Sequence, residues 1–504
     1  MKTTPIPART RFAPSPTGRL HIGGGRTALY AYLTARQTSG QFLLRLEDTD
    51  RRRYTPGSEE DIIDGLHWLG LEWDEGFDIG GPFAPYRQTE RRERYQYYAR
   101  QLIHADKAYY CFCSPDRLER VRQEQQKLKV SPHYDGTCRR LDPDEAAHRV
   151  AAGEKFVIRF KAPNEGSITV VDEMRGTITV DNETIDDFIL VRSDGLAVYH
   201  LSAMVDDYEM KITHVHRGSE WLPTFPLHAH IIQSLNFPMP KFYHLSLFLK
   251  PTGKGKMSKR ETAELIRDGQ SIFLTDLGAL GFLPEAVVNW IALMGWSYDD
   301  HTEFFTMQDL IEKFSPERIN PSPAAINFTK LDYYNGLHIR HLPQAELVKR
   351  IKPFFEPIFK EEGFLLDDPI LEETLCQISP IIQDRIGGTD EAPQMAGFFF
   401  RKEIHPPYEI LLGKNMTAIE SAAAARQAFA ILESMPDWTP AATESLLRAL
   451  VETLGLNAGQ LFGILRAAVT GQTVSPPLFE SMEIIGRQKT LERLRNAIQA
   501  LESM

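Results

Sequence analysis

A chain of 504 residues, 42% apolar and 25% charged, has ordinary globular composition and room for roughly three domains of about 150 residues each. Its net charge of −11 argues against a general nucleic-acid coat, though not against an enzyme with a local basic face, and four cysteines are too few for a disulfide framework. No run of 18 apolar residues reads as a membrane span and the opening MKTTPIPARTRF lacks the apolar core of a signal peptide, so a soluble cytoplasmic protein is expected.

In chain order, the first expected element is a short strand ending at Arg11-Phe12-Ala13. It runs through PSPTGRLHIGGG into a helix over 23–37, where Leu29, Tyr32 and Leu33 fall at helical spacing and Ser39-Gly40 is the stop. A buried strand follows at Phe42–Leu46 and ends at Glu47-Asp48-Thr49-Asp50. Strand, glycine turn, helix and strand make a βαβ unit, which implies a parallel sheet. Charged helices over Thr89–His104 and Asp116–Lys129 then give way to short strands at Phe156–Phe160, Ile168–Val171, Ile178–Val180 and Phe188–Val191. This change of character predicts an α+β insertion lying outside the sheet. Apolar strands resume at Ile212–Val215 and Phe242–Leu249.

From about 262 the chain reads helical to its end. Pro440 after Thr439 makes a capped start, with Leu446, Leu450 and Leu454 at spacing four before Gly455. Ser475-Pro476 and Gly486 bracket another helix, and Leu491, Leu494, Ile498 and Leu501 form a stripe on the last one. Such stripes are core faces. The expected class is α/β: a parallel-sheet domain with an α+β insertion, followed by an all-α C-terminal half.

Two motifs carry chemistry. Glycine disfavours helix interiors, so the HIGGG stretch, His21 to Gly25, suggests that a ligand approaches bare backbone. A helix N-terminus offers unpaired N–H groups and a positive dipole end to an anion, and His21 can donate to a phosphate oxygen. The bland alternative is an ordinary glycine-rich turn carrying a surface histidine. GxxxxGK[ST] and GxGxxG are both absent. The second motif is Lys254-Gly255-Lys256-Met257-Ser258-Lys259-Arg260. It reads either as a solvated basic loop or as a clamp whose two lysines neutralise charge developing as pyrophosphate leaves, with Ser258 as a neutral donor.

Together, PSPTG…HIGG and KMSKR resemble the paired signatures of class I aminoacyl-tRNA synthetases. RFAPSPTG, RLEDTDRRRY, YRQTER, YDGTC, SDGLAVYHL, VDD, HRGSEW and FLPEAVVNWIALMGWS narrow the resemblance to the glutamyl-tRNA synthetases of bacterial type, as does AAVTG…SPPLFESMEIIGRQKTLERL. The resemblance spans nearly the whole chain. It implies a Rossmann-type catalytic domain over 1–90 and 196–265, interrupted by an insertion over 91–195 that contacts the tRNA acceptor end. A helical stem-contact linker over 266–330 and a helical anticodon-binding region over 331–504 follow, the latter divided near 400. It implies activation of L-glutamate by ATP and Mg²⁺, then transfer to the 3′ end of tRNA(Glu) by a monomer. His21, Gly23, Gly24, Lys256, Ser258 and Lys259 match ATP positions, with His21, Lys256 and Lys259 catalytic. Arg11, Ser15, Glu47, Tyr199 and Arg217 match glutamate positions.

The residue types suit that chemistry independently. Arginine binds a carboxylate bidentately, so Arg11 and Arg217 are sensible side-chain readers, and Glu47 offers an acceptor for an ammonium group. Plainer readings stand beside these: Arg217 paired with Glu220 at the surface, Glu47 in a solvated acidic turn, Tyr199 as a core aromatic. The chain also departs from the family. Ala203 stands where some relatives carry asparagine, leaving one substrate hydrogen bond to Ser202 or water. Cys111, Cys113 and Cys138 match a zinc pattern whose fourth position is Arg140, which cannot ligate; His133 and His148 are irregularly spaced substitutes, and reduced cysteines are the alternative. Lys402, Arg426, Arg448 and Arg466 are candidate phosphate contacts or solvated helix faces. Three other functions remain open: a version that also charges tRNA(Gln), a catalytically silent tRNA-binding paralogue and, more distantly, another adenylyl-transferring enzyme of this sheet type.

Overall fold

The computed structural model describes residues 6–255, Leu265 and 270–503. It forms two compact units, one of Met1–Leu277 with Val287–Phe328 and one of Gly278–Ala286 with Thr329–Met504. No helix among the described residues is long and apolar enough to cross a membrane.

Among the described residues, the first unit contains twelve strands: β1 (Arg9–Phe12), β2 (Gln41–Leu44), β3 (Glu75–Gly76), β4 (Ala108–Cys111), β5 (Val157–Phe160), β6 (Ser167–Asp172), β7 (Gly176–Asp181), β8 (Ile189–Val191), β9 (His214–Gly218), β10 (Lys241–Leu245), β11 (Phe248–Leu249) and β12 (Ala324–Ala325). Seven of them make one sheet in the order β3-β2-β1-β9-β10-β6-β7. β1 pairs in parallel with β2 (Arg11 opposite Leu43) and with β9 (Thr10 opposite His214), and β9 pairs in parallel with β10 (Arg217 opposite His244). The chain therefore leaves β1 in one direction for β2 and β3 and reaches β9 and β10 on the other side. The crevice above the carboxyl ends of β1 and β9 is the topological switch point, the standard ligand position in such sheets. Between the strands lie α1 (Ile22–Gln37), α2 (Ser58–Trp68), α3 (Arg92–His104), α4 (Pro115–Lys127), α5 (Pro143–Ala151), α6 (Tyr199–Glu209) and α7 (Phe225–Ser234). Residues Ala28–Leu33 of α1 are fully or nearly fully buried, so this helix is packed along almost its whole circumference.

The expected α+β insertion is present, but it does not lie wholly outside the sheet. β4, β5 and β8 form a separate three-stranded antiparallel sheet, whereas the β6–β7 hairpin extends the main sheet. Phe242 of β10 pairs with Asp172 of β6. The alternation of β6 buries Ile168, Val170 and Asp172 and places the first two in the main core. Alternation shows that a hairpin exists but not which edge it joins, because that pairing is non-local. β9 also runs further than expected, to Gly218: apolar residues stop at Val215, yet pairing continues through buried His216 and Arg217.

The second unit is helical, with two hydrophobic clusters. One joins Leu347, Ile351, Phe355 and Phe359 to Leu371, Leu375 and Ile378, and the other joins Ala425, Leu432, Leu447, Leu461 and Leu465 to Leu494 and Leu501. Thr439 caps the helix Pro440–Leu454, which ends at Gly455 with φ of 65°. The buried arc of that helix is Thr443, Leu447, Leu450 and Val451, not the spacing-four series; Leu446 is 40% exposed. Exact spacing of four drifts around a helix of 3.6 residues per turn, and the core follows the arc. On the last helix, Arg487–Glu502, Leu494, Ile498 and Leu501 are buried and Leu491 packs at the edge.

Candidate active site at the sheet switch point

The glycine turn closes on itself through its histidine. His21 is the N-cap of α1, and its Nδ1 accepts from the amides of Gly23 at 3.0 Å and Gly24 at 3.3 Å. An imidazole accepting at Nδ1 carries its proton on Nε2, the donor an anion needs. Packing also requires the glycines: a Cβ on Gly23 would lie 2.9 Å from His21 Cε1, and one on Gly24 would lie 2.7 Å from Leu20 Cδ1.

This turn is fastened to both flanks of the lysine-rich stretch. On the far flank, Ile22 N donates to Ile272 O at 2.8 Å, and Leu274 N donates to Leu20 O at 3.1 Å. On the near flank, Arg26 of α1 donates to the carbonyl of Ser246 and lies 4.0 Å over the ring of Phe248, at the start of β11. The turn after β11 is closed by Lys250 N donating to Gly255 O, with Gly253 and Gly255 at φ of 75° and 80°. Lys256, Ser258 and Lys259 lie outside the described residues, but the chain on both sides of them is hydrogen-bonded to, or packed on, the HIGGG helix.

Arg11, at the end of β1, is buried. Its Nε donates to Asp207 Oδ1 at 3.0 Å, its Nη2 to Asp207 Oδ2 at 3.4 Å and its Nη1 to His216 O at 3.1 Å. Arg45, just past β2, donates to Asp207 Oδ1 at 2.7 Å and to Glu47 Oε1 at 3.0 Å. Asp207 thus ties two buried cations together. Burial opposes its ionisation, but Arg11 and Arg45 outweigh burial and hold its carboxyl below the ordinary range. Glu47 is buried rather than solvated. Burial outweighs Arg45 and Arg11 there and pushes its carboxyl up, an excess that an arriving ammonium group would reverse. Ser15 is exposed in the turn above, where Pro14 O receives Glu47 N at 2.9 Å.

Across the crevice, Arg217 of β9 turns inward rather than pairing with Glu220. It is 4% exposed, with Nε donating to His244 Nε2 at 2.9 Å and Nη2 to His228 Nδ1 at 3.2 Å. Its Nη1 is buried without a hydrogen-bond partner. Burial pushes this guanidinium below its ordinary value. Tyr199, the first residue of α6, interacts with Arg217 and stacks on Trp221 with ring centroids 3.9 Å apart. Ala203 is fully buried one turn further along α6, and the neighbouring Ser202 hydroxyl is already engaged by Gln88 and Val198.

In the insertion, the sulfurs of Cys111, Cys113 and Cys138 lie within 4.8 Å of one another. Neither Arg140 nor the two histidines completes this set: His133 bonds Gln125 and Ser131 instead, and His148 is exposed. The Tyr134 hydroxyl does complete it, 3.4 Å from both Cys111 and Cys113 and accepting from Cys138 N at 2.9 Å. Arg117 and Arg159 approach the cluster from outside. No role was expected for Tyr134, Asp207, His228, His244 or Trp221, although YDGTC, VDD and HRGSEW mark three of their positions. In the helical unit, Lys402, Arg426 and Arg448 bond Glu362, Glu502 and Glu444, and Arg466 braces the Ser475–Pro476 turn. Arg466 is therefore a structural strut rather than part of a solvated helix face.

Comparison with known proteins agrees with this architecture. Residues 346–498 match the anticodon binding domain family. A protein of Roseiflexus sp. (strain RS-1) named glutamate–tRNA ligase is 43% identical over 98% of this chain and 97% of its own, and one from Dehalococcoides mccartyi (strain ATCC BAA-2266 / KCTC 15142 / 195) with the same name is 41% identical over 98% and 99%. A crystal structure of a glutamate tRNA ligase from Elizabethkingia meningosepticum CCUG26117 with its amino acid covers 98% of this chain and 100% of that one, at 34% identity and a TM-score of 0.87. Residues 7–333 match the catalytic domain of the class I tRNA synthetases (E and Q), and the chain belongs to that family.

Proposed function

We propose that this protein is a glutamate–tRNA ligase, which activates L-glutamate with ATP and transfers it to the 3′ end of tRNA(Glu). The observation that carries this reading is Arg217: a buried guanidinium with only neutral acceptors and an unpartnered Nη1, across the switch point from buried Glu47. A carboxylate side chain completes the first group and an α-ammonium answers the second, which is the charge pattern of glutamate.

The nucleotide lies over the HIGGG turn. His21 Nε2 and the start of α1 receive its phosphates, and Mg²⁺ enters as the counter-ion of ATP. The α-carboxylate oxygen of glutamate attacks the α-phosphorus, and the bond to the bridging oxygen of the β-phosphate breaks. Pyrophosphate leaves as Lys256 and Lys259 neutralise its charge. A ribose hydroxyl at the tRNA 3′ end then attacks the acyl carbon, and AMP departs. The protein contributes placement and charge complementarity, with no covalent intermediate of its own.

The insertion's three thiols and the Tyr134 hydroxyl fit a four-coordinate structural metal such as Zn²⁺, with Arg117 and Arg159 offsetting the ligands' negative charge. The ion would brace β4 against the Thr137–Arg140 turn and take no part in the reaction. Metal analysis of the purified protein and of Cys138→Ala tests this: about one zinc per chain, lost in the variant, is expected. Equal metal content in both would contradict it.

Aminoacylation tests the main reading. Charging of tRNA(Glu) with glutamate, dependent on ATP and lost in His21→Ala, is the expected result. A protein that binds tRNA but neither charges it nor exchanges pyrophosphate with glutamate would be the silent paralogue.

A further inference from the structure

Behind Arg217 runs a continuous chain of side chains from four elements besides its own. Asp172 of β6 receives His244 Nδ1 of β10 at 2.7 Å and the His244 amide at 3.1 Å. His244 Nε2 receives Arg217 Nε. Arg217 Nη2 donates to His228 Nδ1 of α7, and His228 Nε2 lies 2.9 Å from Nδ1 of His200 at the start of α6. These contacts fix the tautomers. His244 gives its proton to Asp172 and so presents a bare Nε2 to Arg217; His228 accepts at Nδ1 and so carries its proton toward His200.

The consequence is an unusual charge state. Arg217 is fully clasped on two of its three nitrogens, yet no protein carboxylate among the described residues lies within ion-pair distance of it. The nearest carboxylate along the chain, Asp172, stands one imidazole away. Elsewhere in the same site the fold does the opposite: Arg11 and Arg45 are each paired directly with Asp207. A buried cation is normally paired, because desolvating it alone is costly. Here the pairing position is kept open.

We infer that His228 and His244 are positioning residues that hold Arg217 with neutral acceptors, leaving its direct ion-pair position to the incoming side-chain carboxylate, while Asp207 acts on it only from further off. Preference for glutamate over glutamine then follows from electrostatics: the acid neutralises the buried guanidinium and the amide does not. A protein carboxylate at this position would neutralise it in advance and erase the preference. Burial pushes all three imidazoles below their usual range, His200 down to about 4, so the acceptors stay neutral at physiological pH. This inference rests on the glutamate reading above and assigns the element that enforces it.

The variants His228→Asn and His228→Asp test it, since their Oδ1 atoms can stand where His228 Nδ1 stands and the two differ only in charge. H228N is expected to keep KM for glutamate within about threefold of wild type. H228D is expected to raise it at least about thirtyfold over H228N, leave KM for ATP unchanged, and shift competition by glutamine at least about tenfold in glutamine's favour. Equal glutamate KM and equal glutamine competition in the two variants would overturn the inference. The pair H244Q and H244L asks the same question at the other acceptor, should H228D not fold. Gln can offer an oxygen near Nε2 and is expected to retain KM, whereas Leu cannot and is expected to raise it about tenfold or more; matching values would again overturn it. Arg217→Met separates the two levels. If R217M leaves glutamate KM unchanged, the pocket reading itself fails; if R217M raises KM while the paired variants behave alike, only the role of the imidazoles fails.

Discussion

Arg217→Met separates a binding role from a structural one, because the two predict opposite outcomes. In the bound state the guanidinium faces a carboxylate in a buried site. At an effective dielectric of about 20, two unit charges about 4 Å apart interact by about 4 kcal/mol, and a hydrogen bond to a charged group contributes about 1.5–3 kcal/mol. These overlap, so removing Arg217 should cost about 3–4 kcal/mol of transition-state binding, or roughly 10²–10³-fold in kcat/KM for glutamate. Stability should behave differently. The unliganded protein buries this cation against neutral groups: the two imidazoles, Tyr199, and the Phe242 and Phe225 rings at 4.9 and 5.8 Å. Replacing an uncompensated buried charge with an apolar side chain of similar length is typically neutral or stabilising. The melting temperature should therefore stay within about 3 °C of wild type. The assay is ATP–pyrophosphate exchange with tRNA present, titrating glutamate and ATP separately, beside a thermal melt. A variant that melts far lower while keeping its glutamate KM would refute the reasoning, because Arg217 would then be a core strut.

Three further outcomes are expected. Asp207→Asn removes the partner of both Arg11 and Arg45 and should destabilise the protein by about 3–5 kcal/mol; an unchanged urea midpoint would contradict the network. Gly23→Ala puts a methyl 2.9 Å from His21 Cε1, so the imidazole must leave its cap. KM for ATP should rise about tenfold with glutamate KM little changed, and the reverse pattern would be inconsistent with a nucleotide over this turn. Burial holds His200 and His214 down to about 4, against a usual value near 6.5. Between pH 6.5 and 4 the unfolded chain binds protons that the folded chain refuses. Stability should thus be level above about pH 6.5 and fall as pH drops toward 4, by up to about 1.4 kcal/mol per pH unit for each imidazole. Denaturant unfolding at pH 7, 6 and 5 checks this, and stability that rose on acidification would contradict it.

Local patterns carried much of the fold. The HIGGG turn, the α1 periodicity and the Thr439 and Gly455 caps are short-range signals, and each element sits within a residue or two of its expected place. What was illegible is non-local. Nothing in SITVVD says that its hairpin will pair with β10, and nothing in the hydropathy of HRG says that the strand expected at Ile212–Val215 continues, because the buried residues after Val215 are the polar His216 and Arg217. The same holds within the pocket. The family resemblance singles out Arg11, Glu47, Tyr199 and Arg217, and the charges of Arg11, Glu47 and Arg217 suit an amino acid. The groups that orient them were not legible: Asp207 lies 196 residues from Arg11, and His244 lies 27 from Arg217. Tyr134 escaped notice because a phenol is not a usual metal ligand, and only the fold shows its oxygen beside the thiols.

In the proposed function, the HIGGG turn and the KMSKR stretch serve one nucleotide. The direct measurement is a structure of the protein with a non-hydrolysable ATP analogue and glutamate. It should show His21 Nε2 and Lys259 Nζ within hydrogen-bond distance of the same triphosphate, and the glutamate side chain on Arg217. A nucleotide bound away from the start of α1, or a glutamate whose side-chain carboxylate sits elsewhere, would contradict it.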